Sequence, residues 1–201
     1  MKEKKASGFF LFEAAAQRLQ DAPCVWSRQE QYTWSQAYQR VCQYGHYFKS
    51  LGVQSTQHVG VYLYNSPDLL FIWLGLLSIG AAPAMINYNL GRDALLHCVR
   101  LSGTIFLIYD AAQDCADRIS EMESQLKDLG VDAIMLSEDF KEKVGGYPSQ
   151  RPHVDCFDQA SVVLPFALMY TRYVWLCDTG AFLKHTDDLA AAQLACRRLS
   201  L

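Results

Sequence analysis

Residues 58–86 read HVGVYLYNSPDLLFIWLGLLSIGAAPAMI, and the fold turns on how this stretch is divided. Val59-Gly60-Val61-Tyr62-Leu63-Tyr64 is a run of β-formers with no charged interruption, which predicts a buried strand. Asn65-Ser66-Pro67 ends it. Ser66 as N-cap and Pro67 at the first helical position predict a helix over 67–79. Gly80 is then the natural helix stop, and 81–86 predicts a second short strand. Taken whole, 69–86 approaches the roughly 20 apolar residues that cross a bilayer. Pro67 and Asp68 at its start, with Gly80 and Pro83 inside it, favour the division into buried helix and strand over a membrane span.

The same rhythm extends outward. Upstream, 9–20 has apolar residues at helical spacing and the strong helix formers Ala14, Ala15 and Ala16. Cys24-Val25-Trp26 and Gln31-Tyr32-Thr33-Trp34 are short apolar runs with polar residues between them, which predicts a hairpin. Thr33 or Ser35 then caps a long amphipathic helix to about Leu51, closed by Gly52. Downstream, a helix over 91–102, a strand over 104–109, a polar helix over 111–129 and a strand over 131–136 follow. The alternation predicts an α/β fold with a mainly parallel sheet flanked by helices. Residues 141–157 carry two Gly, two Pro and mixed charge and read as a linker. From Tyr170 onward no strand–helix rhythm joins the tail to the preceding units.

Composition narrows the function classes. The chain has 201 residues, 51% of them hydrophobic, which suffices for one sizeable domain. A net charge of −3 gives no field for nucleic acid. The seven cysteines are scattered, with no CxxC pair and no zinc spacing, and no signal peptide precedes them. Reduced thiols facing the cytosol are expected.

Single residues read mostly as structural. Phe71 and Trp73 are expected to fill core, and Asn65 and Ser66 to serve as turn and cap. His97, between apolar neighbours on a helix, is expected to be packed rather than catalytic. Asn87 and Asn89 at a strand end could line a crevice, because open α/β sheets bind ligands there. Structural hydrogen bonding is the favoured reading.

Four segments in order carry a resemblance. Tyr32-Thr33-Trp34 with the helix ending Ser50-Leu51-Gly52-Val53 resembles the opening motif of the adenylate-forming superfamily. His58 through Pro67 resembles its first core strand and turn, and Phe71 through Ala81 its next helix and Gly–Ala turn. Ala84-Met85-Ile86-Asn87-Tyr88-Asn89-Leu90, with Leu95-Leu96-His97-Cys98 behind it, is similar to the fatty-acid-transport / very-long-chain acyl-CoA synthetase branch of the AMP-forming acyl-CoA synthetases. The resemblance is good over 9–110 and looser over 111–171.

That resemblance implies a partial adenylate-forming N-terminal domain and a known chemistry. A long or very long fatty acid is joined to ATP as an acyl-adenylate, with Mg2+, and passed to coenzyme A; linked fatty-acid uptake is implied too. The family also implies an intracellular site, at a membrane such as endoplasmic reticulum, peroxisome, lipid droplet or plasma membrane. Its phosphate loop reads Tyr-Thr-Ser-Gly-Thr-Thr-Gly-x-Pro-Lys, small residues letting backbone N–H groups approach the triphosphate. Tyr170 and Thr171 match the lead-in to that ATP loop and are the candidate cofactor-binding residues; no catalytic residue and no metal ligand is assigned. Arg172-Tyr173-Val174-Trp175 then replaces the small residues.

The expected division is therefore 1–171 as the N-terminal part of an AMP-binding domain and 172–201 as a non-homologous tail, aberrant or alternative. Arg172-Tyr173-Val174 can be encoded across AG and GTATG, an exon–intron junction, which gives the tail a cause. The chain is expected to be inactive alone and to bind no cofactor by itself. The alternative is a non-catalytic isoform that binds a membrane or a full-length synthetase.

Overall fold

The computed structural model describes residues 8–28 and 30–154, with the backbone of 173–175 and 182–184. The chain divides into two compact units, Met1–Val163 and Leu164–Leu201.

In the first unit, α1 (Gly8–Leu19) leads to the hairpin β1 (Pro23–Trp26) and β2 (Gln31–Thr33), paired antiparallel as the short apolar runs predict. Helix α2 (Trp34–Ser50) begins where Thr33 and Gln36 form a reciprocal cap. The Gln36 N–H donates to Thr33 Oγ1 and the Thr33 N–H to Gln36 Oε1.

The decisive stretch folds as its punctuation dictates. Strand β3 (His58–Tyr62) gives way to α3 (Pro67–Ser78), whose Ser66 cap accepts the Leu69 N–H. Gly80 then takes φ +77, a left-handed conformation that favours glycine, and the chain reverses into β4 (Ala82–Met85). Among the described residues no helix is long and apolar enough to cross a membrane.

Next come α4 (Arg92–Ser102), β5 (Phe106–Asp110), α5 (Gln113–Ser120), α6 (Glu123–Asp128), β6 (Asp132–Leu136) and α7 (Glu138–Gly145). The four strands form one parallel sheet in the order β4-β3-β5-β6. Its two faces bury separate clusters. One packs Val59, Val61 and Ile108 with residues of α1, α2, α3 and α7; the other packs Tyr62 and Leu107 with residues of α4, α5 and α6. Covering both faces is what an all-parallel sheet requires. Phe71 is buried and Trp73 packs partly buried against the first cluster, as expected of core filler.

Three local expectations are corrected. The polar helix over 111–129 is two helices, divided by a turn at Glu121 and Met122. The linker reading of 141–157 fails over its first turn, which belongs to α7. Ser137 caps that helix by accepting the Phe140 N–H, Glu138 and Asp139 favour its N-terminal dipole, and Phe140 and Val144, four apart, are buried. His97 is exposed, not packed. Leu95, Leu96 and Val99 take the buried face of α4, which turns position 97 to solvent.

In the second unit, β7 (Tyr173–Trp175) and β8 (Phe182–Lys184) pair antiparallel. The sequence predicts that 172–201 packs poorly or forms an isolated helix near 187–198, where Ala and Leu are dense; that helix and that packing lie outside the described residues.

Candidate functional site

A groove of about 1190 Å3 opens beside the carboxyl ends of β3 and β6, bounded by the β1–β2 hairpin, Arg40 of α2, the start of α3 and α7. Ligand crevices of open parallel sheets lie at such strand ends. Asn65 and Ser66 follow β3 directly into it, while Asn87 and Asn89 do not line it. Asn87 closes its own turn, its side-chain oxygen accepting the Asn89 N–H at 2.9 Å and its carbonyl the Leu90 N–H. The structural reading of that asparagine holds.

Asp68 lies at the edge of the groove, 8% exposed, in the first turn of α3. Its Oδ1 accepts the Tyr44 hydroxyl proton at 2.7 Å, and its Oδ2 lies 3.4 Å from Lys141 Nζ, which also reaches Glu138 at 2.9 Å. Burial, then the Asp68 carboxylate, pushes the Tyr44 phenol far up. Lys141 is raised as well: partial burial opposes this, but the Glu138 hydrogen bond and the Asp68 charge win. On the hairpin, Tyr32 donates to Glu30, and burial with that bond moves its phenol up to about 12. Both phenols are thus neutral donors near pH 7.

The lining also includes Arg28, Asp139 and Glu142, so acidic side chains outnumber basic ones, and Trp26 stands exposed on the rim. Such a groove can bind and orient; it juxtaposes no nucleophile with a base.

A second polar cluster ties together the loops after β3, β4 and β5. Arg118 donates to the Tyr88 carbonyl at 2.6 Å and pairs with Asp114 at 2.9 Å. Tyr64 donates its hydroxyl to the same Asp114 oxygen, and its backbone N–H goes to Asp110. The Tyr64 hydrogen bond, then Arg118, lowers the Asp114 carboxyl. Tyr62 holds the Leu90 carbonyl at 2.6 Å, so the turn after β4 is fixed from two sides.

Sequence reading missed both clusters. The spacing of Asp114 and Arg118, four apart on a helix, was a usable signal. Asp68 was explicable as a helix-start acid, and nothing in the sequence pairs it with Lys141. Tyr170 and Thr171, the candidate ATP-loop residues, lie outside the described residues. Within the described residues no group of three or more His, Cys, Asp or Glu side chains could hold a metal ion.

Residues 12–171 match the family model described as AMP-binding enzyme. Isopenicillin N epimerase component 1 of Hapsidospora chrysogena is 70% identical over 138 residues, covering 68% of this chain and 23% of that protein. Long-chain fatty acid transport protein 2 of Rattus norvegicus is 29% identical over 128 residues, 63% of this chain and 20% of that protein. The chain thus spans about a quarter or less of these relatives. Among solved structures, a Mycobacterium tuberculosis fatty acyl CoA synthetase superposes with a TM-score of 0.70 at 19% identity, covering 77% of this chain and 31% of that one. An anthranilate CoA ligase with bound anthranoyl-AMP gives 0.64 at 20% identity, covering 72% and 28%. At such identities these two show the fold. The family match, over most of the chain and ending where the resemblance read in the sequence also ends, identifies this chain as a member of the AMP-binding enzyme family.

Proposed function

We propose that this chain is the N-terminal part of a ligase that activates a carboxylic acid with ATP as an acyl-adenylate and then transfers the acyl group to coenzyme A. The family match over 12–171 carries the reading. Long or very long fatty acids, with linked uptake, are the substrates suggested by relatives named fatty acid transport proteins. An intracellular, membrane-associated site goes with that substrate.

A second substrate has its own support in the 70% identical relative, named as a component of isopenicillin N epimerase. Under this reading the acid activated is isopenicillin N. A thioester carbonyl withdraws electrons from the neighbouring carbon and makes its hydrogen removable, which is where an epimerisation begins.

ATP, Mg2+ and coenzyme A are the expected cofactors. The described residues offer no glycine-rich turn that would let backbone N–H groups close on a triphosphate, so no nucleotide contact is assigned to them. The proposed boundary stays at Thr171, with 172–201 a non-homologous tail; the family match ending at 171 supports it. Without the loop the chain is inactive alone, since losing even one oxyanion-type donor costs roughly a hundredfold or more in rate. A non-catalytic role, bound to a membrane or to a full-length synthetase, is the alternative for the chain as it stands.

Two experiments test this. Sequencing the transcript across the Thr171 codon should find an exon boundary there; uninterrupted sequence removes the account of the tail. Purified protein from this chain, and from any longer spliced product, is then given ATP, Mg2+, coenzyme A and either a long fatty acid or isopenicillin N. AMP release is expected only from the longer product, and the faster acid names the substrate. Absence of release with both acids would sink the ligase reading.

A further inference from the structure

We propose that residues 146–154 are a clasp that locks α1 onto α2, with the Glu13–Arg151 ion pair as its catch, and that clasp and α1 open together while the sheet stays folded. The segment forms neither helix nor strand, so its backbone carbonyls need partners elsewhere. Side chains of α2 supply them. At the root of the segment Gln43 Nε2 donates to the Gly145 carbonyl at 2.9 Å. His46 Nε2 donates to the Gln150 carbonyl at 2.9 Å, and Lys49 Nζ to the His153 carbonyl at 2.6 Å. The one Ser50 hydroxyl proton goes to the Tyr47 carbonyl at 2.7 Å, so the Tyr147 hydroxyl donates to Ser50 Oγ at 2.8 Å. Pro152 is buried where Gly45 leaves room: a Cβ at Gly45 would stand 3.0 Å from the proline ring.

The catch joins distant parts of the chain. Arg151 Nη1 lies 3.0 Å from Glu13 Oε2, across 138 positions of sequence, and the guanidinium stands 5.7 Å from the Phe10 ring centre. Glu13 Oε1 accepts the Tyr38 hydroxyl proton at 2.8 Å. The Glu13 side chain is 14% exposed, so its charge depends on Arg151 and Tyr38 for compensation. Helix α1 is otherwise lightly anchored. Phe9 and Ala16 are its buried residues, Phe10 and Phe12 are partly buried, and Leu11 is exposed.

Clasp and helix therefore stabilise each other. A lifted clasp leaves Glu13 short of its counter-charge and uncovers Phe10; a lifted α1 takes away the partner of Arg151. Neither contributes a strand to the β4-β3-β5-β6 sheet, whose ladders stay whole when both move. Segments with few buried residues and solvent-exposed bonds open ahead of the core. Cys42 of α2 reports that opening. Its thiol is fully buried, bonds Tyr38 and lies close enough to Glu13 and Arg151 to feel both charges. Cys115 is buried as completely, in the cluster on the opposite face of the sheet.

Alkylation of the native 201-residue chain by iodoacetamide, read at each cysteine by peptide mass spectrometry, tests this alongside amide hydrogen exchange. Arg151→Gln should raise the Cys42 rate, and exchange across residues 12–19, about tenfold. The Cys115 rate and exchange in β5 should stay unchanged. Glu13→Gln, which keeps an acceptor for Tyr38, should act alike and carries the test should the first variant fail to fold. The double variant should be no faster than either single one, because both remove the same pair. Lys127→Gln, which breaks an exposed pair with Glu123 on α6, should alter neither rate. Equal acceleration at Cys42 and Cys115 would mean that the pair holds the whole fold, and overturns the clasp. Unchanged Cys42 rates in both single variants, or additive effects in the double one, overturn the catch. Faster Cys42 labelling without faster exchange in α1 overturns the joint opening.

Discussion

Asp68, Tyr44 and Lys141 come from α3, α2 and α7, and each carries a cost the others offset. A carboxylate 8% exposed is tolerated because a hydroxyl and an ammonium reach it. Tyr44→Phe leaves Asp68 Oδ1 without that donor and should lower unfolding stability by about 1–3 kcal/mol, read from urea midpoints at constant m-value. The pH dependence follows from the raised Tyr44 and Lys141 values. Both groups hold their protons more tightly when folded, so their contribution is complete below about pH 10, where free tyrosine ionises, and is lost as pH rises further. Stability should therefore fall on the alkaline side, and Tyr44→Phe should flatten that fall while lowering the plateau. An alkaline slope unchanged in the variant would refute the assignment. This triad was invisible in the sequence because Lys141 sat in a stretch whose Gly and Pro content announced a linker. Loop composition overrode the Ser137 cap and the Phe140/Val144 spacing that mark the helix.

At the scale of elements, the helix crossing of α2 and α3 depends on glycine. A Cβ at Gly75 would stand 2.7 Å from Tyr44 Cβ and 3.1 Å from both the Gly45 N and the Val41 O, two of them backbone contacts that cannot move aside cheaply. Gly75→Ala should thus cost about 1–3 kcal/mol or more through overpacking, despite alanine's better helix propensity. Thr33→Ala, which removes the reciprocal cap of α2, should cost about 1 kcal/mol. If thermal melts ranked the two in the opposite order, the close packing of these helices would not be the controlling feature. Elements whose ends carry stereochemical punctuation were mostly legible: Ser66-Pro67 opens α3, Gly80 closes its turn and Thr33 caps α2, whereas the same chemistry at Ser137 of α7 went unread. The division of 111–129 had no such mark, since Cys115, Ile119, Met122 and Leu126 keep a spacing that also suits one unbroken helix. The Asp114–Arg118–Tyr64 cluster needs three strand ends brought together, which only the sheet order supplies.

Across the whole first unit, β5 is where the two cores meet. Leu107 belongs to the cluster under α4, α5 and α6, and Ile108, its neighbour, to the cluster under α1, α2, α3 and α7; both are fully buried. Alternation along one strand puts them on opposite faces, so the faces share a backbone and no side-chain volume. Strand β5 also pairs with both β3 and β6, so neither face can open without losing ladder hydrogen bonds that the other needs. Leu107→Ala and Ile108→Ala should each cost about 2–5 kcal/mol from lost transfer energy and cavity. Against a typical domain stability of roughly 5–15 kcal/mol, either is a large loss. If the sheet couples the faces, each variant should accelerate amide exchange equally in α2 and α3 on one side and in α4 on the other, because exchange there proceeds through global unfolding. Acceleration confined to α4 in Leu107→Ala, with α2 and α3 unchanged, would instead mean that the faces unfold separately.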